Sequence, residues 1–386
     1  MSKKLSTLGV GTTFEVPVKS AYRSFLGDYV VFKMADKNHS GYPSGAITLI
    51  TDKIIALLCS DAKEPNNSDS NRRSYGNNRH IHSNILQWLN SNAAAGKWYS
   101  AKHGQDAPPS SANVWDNVNP YDTWAGFLAM LDDDFVAALM TTTLTVAKNT
   151  VTDGGSYETF TAKMFLASTT EVGLANENGI AEGSKLALFS DNTSRLAYCT
   201  QAAIDKSNYG SDPTTSQAWY WWLRTPFSGG SYYVRNVLTS GALSSYDAYD
   251  GGRGVRPLCN LKSDILVSYD EGEVNERKPS FGEMIGKALA EGLNKAIFGE
   301  GEEPKGILAE AEAQAAREKE QEDEDQKRAD AVDMMKHIAA AFDIPATIGE
   351  GKQEEQEKEA KQLFGWYSEL KKAGFTDAQA FELIKG

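Results

Sequence analysis

The chain is poor in the features that would assign a function quickly. Three cysteines in 386 residues, Cys59, Cys199 and Cys259, are too few and too scattered for a disulfide framework or a zinc knuckle, which leaves buried, reduced thiols as the expectation. No apolar run approaches the ~20 residues of a membrane span. The longest, Gly45 to Cys59, is interrupted by Thr51, Asp52 and Lys53. Positive charge is also short. With 39 Lys+Arg against 52 Asp+Glu the formal net charge is -13, a sign that repels phosphate backbones and anionic lipid surfaces, so neither nucleic acid nor membrane is an expected partner. Behind Met1-Ser-Lys-Lys there is no apolar segment with a small-residue cleavage site, so Sec export is not indicated and a surface role calls for another route out. No P-loop, Gly-x-Ser-x-Gly elbow, His-Glu-x-x-His or strand-following Gly-x-Gly-x-x-Gly occurs, and nucleotide and hydrolase readings have no anchor.

What is present divides in two. Residues 1–269 carry 23 basic and 24 acidic groups, net -1, whereas 270–386 carry 16 and 28, net -12. Seven of the eight tryptophans lie in the first part, with short Val/Thr/Tyr/Phe runs punctuated by Asn, Asp, Gly and Pro. That pattern predicts one α+β domain of short strands and long loops. Within it, Gly27–Met34, Ala46–Leu58, Lys163–Ser168 and Ala218–Leu223 read as strands. Ser83 before Ile85, Leu86, Trp88 and Leu89 reads as a capped helix, Leu128–Met140 as another helix, and Asp61–Asn78 as a polar loop.

Beyond Val267 the composition changes. Residues 270–303 read as a charged linker and an amphipathic helix with Phe281, Ile285, Leu289, Leu293 and Ile297 on one stripe. Residues 304–386 read as a charged helix followed by a helical hairpin around Gly374 and Thr376. The hairpin resembles the Ala-Gly-Phe-Thr…Gln-Ala…Glu-Leu hairpins of short phage-encoded proteins. An all-α tail of this kind implies docking to other proteins or homo-oligomerisation.

Several constellations carry weak chemistry. His80 and His82 alternate so that an extended segment would place both on one side, but no third ligand is evident, and a metal is not expected. Asp132, Asp133 and Asp134 read as a solvated helix cap rather than a calcium site. Glu64-Pro65-Asn66 spells a tripeptide that calcium-dependent lectins use for sugar hydroxyls, yet it lies far from any matching partner element and reads as coincidence. No cofactor is implied.

The informative segment is Trp219 to Leu261. Trp221, Trp222, Arg224 and Pro226 at one end, and Gly254, Arg256 and Pro257 at the other, read as a rigid frame of buried rings, fixed prolines and arginines that stack on rings while donating to carbonyls. Between them, 17 of the 26 residues from 228 to 253 are Ser, Gly, Tyr, Asp or Asn. Binding loops favour this set, because Tyr offers a large amphipathic area for two torsions while Ser, Gly and Asn adapt their hydrogen bonds. The expected ligand contacts are Tyr232, Tyr233, Asn236, Ser240, Ser244, Ser245, Tyr246, Asp247, Tyr249, Asp250 and Arg253. Binding through aromatic area and neutral hydrogen bonds would need no divalent ion.

On these residues the chain resembles the C-type-lectin-like domains of bacteria and their phages. Their ends read Trp-Leu-Arg-[Ser/Thr]-Pro, a Gly/Asn/Ser/Tyr-rich stretch and Gly-Val-Arg-Pro, here Trp222 to Pro226 and Gly254 to Pro257. Gln87-Trp88-Leu89-Asn90 and Phe165 to Val172 resemble internal signposts of the same family, so the likeness covers about residues 5–268. It implies a lectin-like head and a non-enzymatic, phage-encoded protein on the virion surface that binds a host-surface glycan or protein. Relatives include retroelement-diversified target-binding proteins, whose adenine-directed mutagenesis yields the residue spectrum of 228–253. Those variable regions usually end the chain, whereas about 120 residues follow here. Formylglycine-generating enzymes are more distant relatives, which keeps an oxidase using Cys199 and Cys259 as an alternative, although neither sits in a matching motif. A purely structural virion decoration protein is the other alternative.

Overall fold

The computed structural model describes residues 2–176, 179–210 and 213–268. The chain falls into two units, Met1–Leu293 and Asn294–Gly386, and everything described below belongs to the first. The linker and amphipathic helix expected at 270–303, and the charged helix and hairpin expected at 304–386, lie outside the described residues.

The described part is α+β and rich in sheet. One antiparallel sheet runs Thr13–Pro17, Tyr29–Lys37, Ala46–Thr51, Leu258–Lys262 and Leu139–Met140, with Met164–Phe165 also pairing to Leu258–Lys262. Its outer strands alternate: Phe14 and Val16, then Val30, Phe32 and Met34, turn inward with their neighbours half-exposed. The central Ala46–Thr51 is buried at every position, as a strand covered on both faces must be. A second sheet runs Leu243–Asp247, Tyr233–Val237, Trp221–Pro226, Gly254–Val255 and Ala56–Leu57. The first strand, Ser2–Lys4, pairs with the last described, Leu266–Ser268, and closes the domain on itself.

Strand Trp221–Pro226 organises the interior. Successive side chains of a strand point to opposite faces, so Trp222 joins one core with Ile85, Trp88, Tyr121 and Phe127, while Trp221 joins the other with Phe165, Val172 and Phe189. Both indoles are satisfied: Trp222 Nε1 donates to the Leu58 carbonyl (2.8 Å) and Trp221 Nε1 to that of Arg195 (3.0 Å).

Four sequence expectations need correction. The strand predicted over Ala46–Leu58 is two strands in different sheets, because the chain breaks where Arg256 takes the carbonyls of Thr51 and Asp52. Leu128–Met140 is not one helix: Leu131 is extended, and Asp132 restarts the chain as the cap of Asp133–Ala138 by accepting from Phe135 N–H (3.0 Å). The strand in 163–168 is only Met164–Phe165. The polar stretch 61–78 contains the helix Ser70–Tyr75, started by Asp69, which accepts from the N–H groups of Asn71 and Arg72, and ended at Gly76 with φ +85°. The expected helix after Ser83 is present as Asn84–Leu89, with that serine as its cap.

Candidate functional site

The expected frame is in place, and Trp221, Trp222, Arg224, Pro226, Gly254, Arg256 and Pro257 are all buried. Arg256 lies 5.2 Å from the Trp221 ring and donates to the carbonyls of Thr51 and Asp52. Gly254 admits no side chain, since a Cβ would meet Ile54 Cδ1 at 2.6 Å. Arg224 is fully engaged. Its five N–H groups go to Glu171 Oε2 (2.6 Å) and Oε1 (2.7 Å) and to the carbonyls of Leu166 (2.9 Å), Glu182 (2.6 Å) and Thr145 (3.3 Å). Tyr42 donates to the same Glu171 (2.6 Å), and burial pushes its phenol far up.

Beside this pair, burial pushes the Glu182 carboxyl up to about 7 against the pull of Arg224 and of the Thr225 hydroxyl at 2.5 Å. An unfolded glutamate ionises near 4.5, so between 4.5 and 7 the folded state holds the extra proton. This contribution is full below 4.5 and is lost as pH rises through 7. Urea midpoints are expected to decline across that window, and Glu182→Gln to flatten the decline. An unchanged slope would place the proton elsewhere.

The segment 228–253 forms a hairpin of Tyr233–Val237 and Leu243–Asp247 and a turn leading to Gly254. The turn is clamped from below. Ser60 and Asp61 N–H both donate to the Ala248 carbonyl (2.8 and 3.0 Å), and Ala248 N–H donates to Tyr232 O (2.9 Å). Tyr249 N–H donates to Tyr75 O and Trp115 N–H to Tyr249 O, both at 3.0 Å. A Cβ on Gly251 would lie 2.1 Å from the Val118 carbonyl oxygen, so the turn and the 115–119 segment touch backbone to backbone.

On this base the tyrosines gather. Tyr232 and Tyr233 are 4.1 Å apart between centroids, Tyr75 is 5.0 Å from Tyr232, and Tyr249 is 5.7 Å from Tyr75. Tyr246 is 42% exposed and Tyr75 37%. Asp247 lies among them, half-buried, its carboxyl raised by desolvation and then by Asp250. Exposed Ser240 is at the hairpin tip, and Ser244 and Ser245 are half-buried on the edge strand.

Three expected contacts are corrected by burial. Asn236 is 1% exposed, opposite Trp222 in the sheet. Asp250 accepts from Gly252 N–H (2.7 Å) and shapes the turn. Arg253 lies under the rings, 3.8 Å from the Tyr246 centroid and 4.8 Å from that of Tyr220. All three support the surface rather than present it. Conversely, Tyr75 belongs to the surface although it lies more than 150 residues before its neighbours; its signal was the Asp69 cap and Gly76 stop of a short helix. Trp115, 38% exposed, joins through backbone pairing that no sequence pattern announces.

The remaining constellations resolve structurally. His80 and His82 sit in a single 3-10 turn and part, His80 toward Phe160 and His82 toward His103. Burial lowers His80 to about 3 and His82 to about 4. Glu64 is buried, accepts from Asn77 (3.0 Å), and faces His103 Nε2 at 2.8 Å. No group of three or more His, Cys, Asp or Glu among the described residues is arranged to hold a metal. The cysteines are free and buried, with burial pushing Cys199 up to about 12 and Cys59 and Cys259 up as well, the opposite of a poised thiolate. Clefts occur away from the tyrosines, one beside Phe25, Trp124 and Lys206, another beside Tyr29, Lys53 and Gln201. No helix among the described residues is long and apolar enough to cross a membrane.

Residues 45–263 match the family described as a domain of unknown function, DUF6273. The chain belongs to that family. The limits of the DUF6273 match meet in space, since Ser263 N–H donates to Gly45 O (2.9 Å), and the matched segment contains the frame, the hairpin and the tyrosine surface. No curated protein and no solved structure matches the chain.

Proposed function

We propose that this DUF6273 protein is a non-enzymatic binding protein whose head is C-type-lectin-like and whose contact surface is the tyrosine cluster. One observation carries the reading: Tyr75, Tyr232, Tyr233, Tyr246 and Tyr249 meet at the surface while the segments beneath them are buried and clamped backbone to backbone. Rings presented on a stiff base lose little entropy on contact, which is how aromatic binding surfaces gain affinity. The pairing of the first described strand with the last, the short helices and the long irregular segments support a lectin-like head. The ligand is a host-surface glycan or protein, and the protein sits on a phage virion, docked to other virion proteins by its tail; the motif resemblance supports both statements.

The test is binding of the purified full chain to intact bacteria of the candidate host, with and without protease or periodate treatment of the cells. Tyr249→Ala should weaken binding by about 2 kcal/mol, as loss of an aromatic hot spot does. EDTA should leave binding unchanged. Full binding by the tyrosine variant, or calcium-restored binding after EDTA, would sink the reading.

A further inference from the structure

Beside the tyrosines the second sheet ends in an open edge. The pairing Leu238 N–H to Ala242 O (2.8 Å) and Ala248 N–H to Tyr232 O (2.9 Å) sets the phase of the hairpin. In an antiparallel pair the bonded positions recur every second residue, so Ser244 and Tyr246 bond inward while Leu243, Ser245 and Asp247 direct their N–H and C=O outward. Asp250 N–H takes the Asp247 carbonyl (3.1 Å). The outward groups of Leu243 and Ser245 have no partner among the described residues. Natural edges are usually blunted by lysine, proline or a bulge, and this one, Leu-Ser-Ser-Tyr-Asp over five unbroken register pairs, carries none of them.

The charge at the end of that edge is also only partly compensated, by Arg253. The Asp247 carboxylate has no hydrogen bond and no ion pair among the described residues; Arg253 reaches Asp250 instead, at 3.7 Å. Tyr232 and Tyr249 lie beside it, and aromatic rings attract cations. A half-buried carboxylate among tyrosines, with no direct ion pair among the described residues, suits an ammonium or guanidinium group.

Resting on the binding-surface reading above, we propose that the ligand is a protein, and that an extended segment of it adds as a new strand to the edge Leu243–Asp247 with a lysine or arginine side chain on Asp247. The free N–H and C=O of Ser245 and Leu243 supply main-chain bonds, and the carboxylate with its rings supplies selectivity, the division of labour in strand addition. Cross-strand neighbours on one face lie close enough for the cation to reach Asp247 from the added strand.

The test uses two pools of acetylated octapeptides, alternating either lysine or glutamate with random uncharged residues, titrated onto the full-length protein. The lysine pool should bind and the glutamate pool should not. Asp247→Asn should weaken the lysine pool by about tenfold or more, as loss of a desolvated charge partner does. Ser245→Pro removes only an outward N–H, which an edge strand tolerates, so it should abolish peptide binding at an unchanged melting temperature. Equal binding of the two pools, or undiminished binding by Ser245→Pro, overturns the proposal. So does binding of chitosan oligomers, amine-bearing glycans, in place of the lysine pool. If bacteria still bind through Tyr249 while Ser245→Pro is silent in both assays, the binding-surface reading stands and the strand-addition proposal alone falls.

Discussion

Arg224→Met is expected to destabilise the head by about 3–5 kcal/mol, the range for removing one partner of a buried ion pair. The variant keeps the volume and leaves Glu171 sealed in the interior, 0% exposed, with only Tyr42 and the Ser168 N–H of its own turn as carboxylate donors among the described residues. It also strands the carbonyl of Leu166 and removes one of two donors to the Glu182 carbonyl, which keeps only the Ser168 hydroxyl (2.9 Å). Arg224→Lys should rescue little, because an ammonium cannot reproduce the forked, five-donor geometry. The double variant Arg224→Met with Glu171→Leu should recover part of the loss by removing the orphaned charge, but not all, since the Leu166 carbonyl remains unpaired. Chemical denaturation checks each. A loss under about 1 kcal/mol for Arg224→Met would mean water reaches the site and the pair is not buried.

Trp222→Ala should cost a similar 3–5 kcal/mol, as large buried aromatics do on truncation. The indole fills the core that holds Trp88, Tyr121 and Phe127, and its N–H satisfies the Leu58 carbonyl next to the clamp on Ala248. Tyr246→Ala makes the informative contrast. Its ring is 42% exposed, so the expected cost is only the stacking on Arg253, about 1 kcal/mol at such a site. The pair should separate stability from ligand contact, with Trp222 variants melting early and Tyr246 variants folding nearly as well while binding cells less. Early melting of Tyr246→Ala with full binding would make the ring a lid over Arg253 rather than a contact.

Much of this site could be read before folding. Indole, guanidinium and proline groups flanking a Tyr/Ser/Gly/Asp stretch already imply burial at the flanks and exposure between, because those side chains differ so widely in the cost of leaving water. The stacked, carbonyl-binding role of Arg256 follows from the same chemistry. Composition failed within the stretch itself. Asn236, Asp250 and Arg253 look like their exposed neighbours by composition, yet strand phase and turn closure place them inside. Composition reports what a residue tolerates, and phase reports where it points.

What the sequence by itself determined is local: the capped helix after Ser83, the Asp132 cap, a tryptophan strand that lies at Trp221–Pro226, three residues beyond the expected Ala218–Leu223, the free thiols and the paratope-like makeup of 228–253. Each follows from side chains acting on their own few residues of backbone. Tertiary structure alone decided which partners completed the surface. Tyr75 and Trp115 reach Tyr249 because backbone N–H and C=O groups from three distant segments must find partners once buried, and they find them in one another. Tertiary structure also decided that Asp247 ends an open edge while Arg253 pairs with Asp250, since sheet order and register are set by which strands pair, and a residue type carries no record of its neighbour across the sheet.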